Sequence, residues 1–274
     1  AGVALFRVAR IEELRSTIVV ALRFVFVALL AIELYQYLAG LSHLMALGYD
    51  YPRWNYHTES GDFRPFGTFL SPTVFAPYLA MVGLVVVFTA PRKLWAFLAF
   101  TAMVGGLALT ETRASWLSVA LALLVVAARL PRHRRDAVML SVIPLGLAGF
   151  CGWLLYPQFL DGVTLRIQTI GDLQYRSNAV RLDLWQGVTE AIAVRPVEGY
   201  GAIRFAAGMP EFIGSLARFA HAHSNYFQIL YLYGYVGLGL FLTLTASALT
   251  LAFRGPRTPV SLGAFAAVLV FVLD

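Results

Sequence analysis

Several apolar runs in this chain are long enough to cross a lipid bilayer, and short charged turns separate them. A transmembrane helix needs about 20 consecutive, mainly apolar residues, because the bilayer core offers its backbone no other hydrogen-bond partners. Of the 274 residues, 59% are hydrophobic and only 13% are charged, whereas about a quarter of the residues in soluble domains are charged. The runs therefore predict an all-α, polytopic membrane protein.

We predict about seven transmembrane helices, preceded by a basic surface helix over residues 1–15. The predicted spans are 16–41, 70–90, 94–110, 116–129, 137–156, 225–252 and a last one that begins near residue 260. The long segment between the fifth and sixth predicted spans contains an amphipathic helix at 176–195, because apolar residues recur there at helical spacing. The predicted domains are a bundle with the surface helix (1–156), a mostly helical loop domain (157–222) and further membrane helices (223–274).

Basic residues in the short loops orient the predicted spans, because such loops stay in the cytoplasm. The N-terminal stretch and the turns at 91–93, 129–136 and 253–257 are basic, and the span count puts all four on one side. The other loops, 42–69, 110–115 and 157–222, then share the opposite side. In a bacterium that side would be periplasmic.

Missing motifs narrow the chemistry. The chain has no Gly-x-x-x-x-Gly-Lys-Ser/Thr loop and no Gly-x-Gly-x-x-Gly after a strand, so no ordinary nucleotide site is expected. It has one cysteine, Cys151, and no His-Glu-x-x-His pattern, which excludes the usual zinc sites. We expect no metal, no cofactor and no nucleic-acid partner. Any phosphate would be bound by arginine, whose planar guanidinium grips two oxygens and stays charged.

Four arginines on the predicted periplasmic side are candidates for that task. Arg113 lies in a tight turn between two spans, where a cation runs against the orientation bias, although a lipid head-group anchor is an equal alternative. Arg181 lies on the predicted loop helix four residues before Trp185, where a solvated helix face is the simpler interpretation. Arg64 and Arg176 are weaker candidates.

Two histidines, His221 and His223, lie where the long polar loop meets the sixth predicted span. Neutral histidine is a natural general base near pH 7, but a lone histidine before a helix is more often structural. Ser224 is suited to cap that helix. Gly234 and Gly237 allow close helix packing, which alone explains their presence.

Four motifs in order make residues 64–252 resemble the superfamily of O-antigen ligases and O-antigen polymerases, which are bacterial inner-membrane glycosyltransferases. The most specific is His223-Ser224, a gap of nine residues, and Gly234-Tyr235-Val236-Gly237. The others are Gly67-Thr68-Phe69-Leu70-Ser71-Pro72, Thr112-Arg113-Ala114-Ser115-Trp116, and Arg181-Leu182-Asp183-Leu184-Trp185 followed by Arg195-Pro196-Val197-Glu198-Gly199-Tyr200-Gly201. Thr112 stands where serine is more usual. The family has more spans than the seven predicted, so we expect this chain to be part of a longer protein with a GT-C-like fold.

The resemblance implies transfer of a glycan from undecaprenyl diphosphate to a sugar hydroxyl of the lipid A core, among the lipids of the membrane. His223 would take the proton of the acceptor hydroxyl, and Arg113 and Arg181 would hold the diphosphate, in a metal-independent and inverting reaction. The residues expected to line the substrate site are Arg64, Arg176, Trp185 and Tyr226, and those expected to shape the histidine motif are Ser224, Gly234 and Gly237.

Two kinds of alternative stay open. An O-antigen polymerase or a protein O-oligosaccharyltransferase of the same superfamily would share these motifs, so the acceptor is not fixed by them. A transporter of lipid-linked glycans is an alternative of a different class, although the sequence shows none of the repeated halves typical of transporters.

Overall fold

The structure is a computed structural model that describes residues 2–49, 63–69, 71–129, 176–201 and 222–273, together with the single positions 168, 172, 174, 205 and 212. Side chains are described from residue 12 in the first helix and from residue 178 in the loop helix. The predicted span at 137–156, His221 and most of the segment 157–222 lie outside the described residues.

The described residues form seven α-helices and no regular strand: α1 (Gly2–Ala46), α2 (Pro72–Phe88), α3 (Lys93–Thr110), α4 (Arg113–Arg129), α5 (Arg176–Val194), α6 (Asn225–Arg254) and α7 (Pro259–Leu273). Among the helices that the structure describes, three are long and apolar enough to cross a membrane, namely α1 from Glu12 onward, α3 and α6, while α2 and α7 are shorter apolar helices. The prediction of an all-α, multi-pass membrane protein is confirmed at this level. The count of seven spans and the GT-C-like arrangement stay predictions.

Two predicted boundaries are wrong. The surface helix at 1–15 is not a separate element, because α1 (Gly2–Ala46) has its one kink at Gly40, where φ is 73°, and residues 3–39 contain neither proline nor glycine. The turn predicted at 110–115 is shorter, because α3 ends at Thr110 and α4 begins at Arg113. Arg113 is therefore the first residue of a helix. The loop helix predicted at 176–195 is confirmed by α5.

The chain forms two compact units, Ala1–Ile167 with Ala252–Asp274 (unit 1) and Gln168–Leu251 (unit 2). In unit 1, α2 packs against α1, α3 and α7. Its buried side chains supply much of that core, among them Phe75, Leu79 and Leu84, each fully buried. Helix α2 is therefore the common neighbour around which unit 1 is built.

Polar side chains of α1 bind backbone at both ends of α2. Arg23 donates a hydrogen bond to the carbonyl of Thr89, the residue that caps the C-terminus of α2. Gln36, more than three turns away and only 1% exposed, binds backbone groups in the loop before α2. Glu33, between them, is also 1% exposed. Polar residues inside apolar helices are costly unless they bond within the protein, and here two of the three hold the ends of a neighbouring helix.

Replacing Gly106 of α3 by leucine should lower the melting temperature of the purified protein in detergent. A Cβ atom at this position would lie 2.5 Å from the carboxylate Oε2 of Glu33 and 2.8 Å from Cδ2 of Leu79. Overpacking of this kind typically costs about 1–3 kcal/mol.

The matched control is leucine at Gly105, the neighbouring residue, where a Cβ atom would meet nothing within 4 Å. Both substitutions gain the same helix propensity over glycine, so only the packing differs. Equal melting temperatures for the two variants would contradict the close approach of α1, α2 and α3 at Gly106.

Candidate active site

Arg113 begins α4, and the first turn of that helix contains no acidic residue. A cation at this end opposes the positive end of the helix dipole. A helix N-terminus and a guanidinium both attract phosphate. The half-buried Arg113 thus combines a guanidinium with a helix N-terminus at one end of α4.

Arg64 binds the turn that leads into Arg113. Its Nε donates to the carbonyl of Thr110 at 2.7 Å, and its Nη2 donates to the Oγ1 of Thr112 at 3.2 Å. Thr112 is only 4% exposed. Arg64, predicted to line a substrate site, thus makes at least two contacts within the protein, and both lie within three residues of Arg113.

In unit 2, α5 packs on the first part of α6. The fully or almost fully buried residues of this core are Leu184, Val188, Ala191, Ile192, Phe205, Ala222 and Tyr231. Burial of this apolar face fixes α5 against the start of α6. The predicted site residues of unit 2 lie on these two helices and in the short segment before α6.

Trp185 of α5 fixes the residue that precedes His223. Its indole stacks on the ring of Phe227, with centroids 5.1 Å apart and planes 5° apart, and its Nε1 donates to the carbonyl of Ala222 at 2.9 Å. The N–H of Ala222 donates to Oε1 of Gln228 at 2.8 Å. Both backbone groups of Ala222 are therefore bonded to side chains, which leaves His223 little freedom in position.

His223 adopts the left-handed backbone conformation, with φ at 53°. Among the described non-glycine residues only Glu111 shares this feature, and Glu111 lies two residues before Arg113. This conformation typically costs about 1–2 kcal/mol, and such strain tends to occur at functional sites. The carbonyl of Ser224 accepts the first helical hydrogen bond, from the N–H of Gln228 at 2.9 Å. The half-buried His223 thus lies directly before the N-terminus of α6.

Helix α6 is broken at Gly234, where φ is 62° and ψ is −164°. The break is sharp, because the ring of Tyr226 before it lies 5.7 Å from the ring of Phe241 after it. A turn at 196–201 fills the break. Two N–H groups of the turn donate to the carbonyls of residues 231 and 232 at 2.9 and 2.7 Å, and one of its carbonyls accepts the N–H of residue 235 at 2.8 Å. Three of the backbone groups near the break are therefore bonded within unit 2.

Glycine is required on both sides of this contact. A Cβ atom on Gly199 would lie 2.5 Å from the backbone nitrogen of Gly234, and one on Gly234 would overlap the carbonyl of Val197. A Cβ atom on Gly237 would overlap the Cβ of Tyr233. From the sequence we attributed Gly234 to close packing between helices. In the structure Gly234 is the residue at which its own helix breaks.

The break also divides α6 by length. Residues 225–233, the nine-residue gap of the histidine motif, form a short helix that packs on α5. Residues 235–254 extend about 30 Å at 1.5 Å per residue, which matches the hydrocarbon core of a bilayer. The apolar run predicted as one span at 225–252 therefore contains a short segment belonging to the core of unit 2 and a segment long enough to span alone.

The predicted site residues fall into two groups. Unit 1 contains Arg64 and Arg113. Unit 2 contains Arg176, Arg181, Trp185, His223, Ser224, Tyr226, Gly234 and Gly237. Arg181 is a half-buried residue one turn before Trp185, and Arg176 is the first residue of α5. The convergence of Arg113, Arg181 and His223 on one cavity stays a prediction.

Sequence reasoning missed two glutamines. Gln228 lies inside the histidine motif, where nothing in its spacing indicates a contact with Ala222. Gln36 did carry a signal, because an uncharged polar side chain within an apolar span is expected to bond within the protein. The residue it contacts is 31 positions away, which no local pattern indicates.

A family model described as O-antigen ligase matches residues 98–242, more than half of the chain. The matched range contains Arg113, all of α5, His223 and the helix break at Gly234. No curated protein matches the chain.

Replacing Gly234 by alanine should loosen the turn at 196–201 and lower the melting temperature. Alanine would have to adopt a positive φ, at about 1–2 kcal/mol, and its Cβ would overlap the carbonyl of Val197. Hydrogen–deuterium exchange should show faster exchange in peptides that cover the turn.

Gly239→Ala is the matched control in the same helix, since a Cβ atom there meets nothing within 4 Å and alanine favours a helix over glycine by roughly 0.5–1 kcal/mol. If exchange at 196–201 were equally slow in both variants, the turn would not depend on the break.

Proposed function

We propose that this chain, which belongs to the O-antigen ligase family, transfers a glycan from undecaprenyl diphosphate to a sugar hydroxyl of the lipid A core. The reaction would take place at the periplasmic face of a bacterial inner membrane. The observation that carries the proposal is the placement of His223, which is held in strained backbone at a helix start by bonds to the residue before it. A rigidly placed imidazole is what general-base catalysis requires.

In the proposed reaction His223 removes the proton of the acceptor hydroxyl while the oxygen attacks the anomeric carbon of the donor glycan. The bond between that carbon and the diphosphate oxygen breaks, and its electron pair stays on the lipid diphosphate. The proton remains on the imidazole until it is released. One glycosidic bond replaces another, and attack from the side opposite the leaving group inverts the anomeric configuration.

The arginines would stabilise the charge that collects on the diphosphate as the glycosidic bond breaks. Arg113 is suited to this role because the N-terminus of α4 adds its N–H groups to the guanidinium. Arg181 lies one turn from Trp185, the side chain that fixes the segment before His223. With two arginines on the leaving group, the transfer would need neither a metal ion nor a nucleotide, since the diphosphate donor is already activated.

The identity of the acceptor distinguishes the proposed ligase from the alternative polymerase and oligosaccharyltransferase. Purified protein would be incubated with lipid-linked glycan and either lipid A core, no second acceptor, or a protein rich in serine and threonine. We expect glycosylation of lipid A core. Growth of the lipid-linked glycan alone would indicate a polymerase, and glycosylated protein would indicate an oligosaccharyltransferase.

A transporter is the alternative of a different class, and the broken helix α6 is the feature that favours it, because transporters often bind substrate at discontinuous helices. In this chain the turn at 196–201 already bonds the carbonyls and the N–H group at the break. The break is thus occupied by protein, which favours a structural role. Glycan transfer by the protein in detergent, where no gradient exists, would exclude transport as its main activity.

Replacing His223 by alanine should reduce glycan transfer at least about 100-fold, in keeping with the usual contribution of a general base. The melting temperature should stay close to that of the wild type, because the substitution leaves the bonds at Ala222 in place. The control is His43→Ala, a change at a histidine on α1 that contacts Tyr35. Normal transfer by folded His223→Ala protein would exclude the residue as the base.

Replacing Arg113 by lysine should reduce transfer about 10- to 100-fold, because a single ammonium loses the two-pronged grip on phosphate oxygens. Initial rates with varied lipid-linked donor would measure the effect. The control is Arg92→Lys, which keeps the same chemical change but lies at the opposite end of α3. An unchanged rate in Arg113→Lys would leave Arg113 as a head-group anchor.

A further inference from the structure

We propose that Gln36 and Arg64 are positioning residues, which together set the location of Arg113 through a relay of hydrogen bonds from α1 to the start of α4. The inference rests on the proposed function in one respect, namely that Arg113 binds the diphosphate of the donor. Both relay residues lie outside the range matched by the family model.

The relay begins at the carboxamide of Gln36, which is 1% exposed. Its Oε1 accepts the N–H groups of Phe66 and Gly67 at 3.0 and 2.8 Å, and its Nε2 donates to the carbonyl of Gly67 at 2.7 Å. Three bonds from one side chain fix two consecutive residues of backbone. Because the groups are buried, removing the carboxamide would leave each of them without this partner.

The segment held by Gln36 is also packed tightly. Phe66 is fully buried and packs with Leu44 of α1. Gly67 has a φ of 59°, and a Cβ atom there would lie 2.5 Å from the ring of Phe75 in α2. Residues 66 and 67 are therefore held in one position. Loss of the Gln36 carboxamide would allow them to move.

Arg64 lies two residues before this clamped backbone and carries the relay onward. Its two bonds reach the carbonyl of Thr110 and the hydroxyl of Thr112. Between those residues Glu111 adopts a left-handed conformation with φ at 49°, which is unfavourable without support from its neighbours. Arg64 thus holds both sides of the strained residue, and Arg113 follows immediately.

A merely structural role for Gln36 would lower stability without changing how the donor binds. The relay makes a more specific claim, because a shift of the turn at 110–112 moves Arg113 away from the diphosphate. Small displacements of a binding group are known to reduce rates by up to about 100-fold. The loss should appear mainly in the KM for the lipid-linked donor, with little change in the KM for the acceptor.

The test compares Gln36→Leu, Gln36→Glu and the control Glu33→Gln, three changes at buried polar residues of the same helix. Hydrogen–deuterium exchange should rise at 64–67 and at 110–113 in Gln36→Leu and stay near the wild-type rate at 110–113 in Glu33→Gln, since Glu33 faces Gly106. Donor KM should rise about 10-fold or more in Gln36→Leu and less in Gln36→Glu, which keeps an acceptor for two N–H groups. Should Gln36→Leu fail to fold, Gln36→Glu and Arg64→Lys carry the same comparison.

A double-mutant cycle with Arg64→Ala tests the order of the relay. If Gln36 acts through Arg64, the loss in the double variant should be no larger than that in Arg64→Ala alone. Additive losses, or unchanged exchange at 110–113 in folded Gln36 variants, would overturn the relay. Failure of the proposed function is a separate result: Arg113→Ala protein with normal transfer would overturn the role of Arg113, while the exchange measurements would still decide whether Gln36 and Arg64 hold the turn.

Discussion

Every backbone N–H and carbonyl group buried in a membrane or in a protein core must find its partner inside the protein, and this constraint acts in both units of the chain. Within a helix the backbone groups bond to one another. Where a helix ends or breaks, the backbone groups need partners from elsewhere. At the C-terminal cap of α2 and in the loop before that helix, side chains of α1 supply the partners. At the break in α6, the turn at 196–201 does so with its own backbone. In the described part of each unit, irregular backbone is therefore bonded by specific side chains or by a specific turn.

The same irregular points carry the chemistry that we propose. The only described non-glycine residues with positive φ are Glu111 and His223, one just before Arg113 and the other the proposed base itself. Each is supported by a side chain from an earlier helix or loop, Arg64 for the first and Trp185 for the second. At each point the helix N-terminus provides N–H groups, and the strained residue fixes the direction of the proposed functional side chain. Both are useful for binding a diphosphate and for removing a proton.

Much of the helical framework could be predicted from the sequence because apolar runs and helical spacing are local signals. Helix α5 was located within one residue at its C-terminal end, and Arg113 and His223 were singled out by their neighbours in the chain. The break at Gly234 was not predicted, because its run of apolar residues is continuous and the turn that fills it lies more than 30 residues earlier. The role of Gln36 was missed for the same reason, since the carboxamide bonds backbone groups, and backbone groups leave no trace in a sequence.

The short helix between Ser224 and Gly234 sets the distance and the angle between His223 and the break in α6. One end is fixed through Ala222 and the other through the turn at 196–201, so its number of residues sets the angle between the imidazole and the rest of α6. One inserted residue would rotate the two ends by about 100° relative to each other, since a turn takes 3.6 residues. Apart from Gln228, which bonds Ala222, side chains along this helix can vary as long as they pack on α5. The length of the helix cannot vary in the same way, so the nine-residue gap of the motif reflects a geometric requirement.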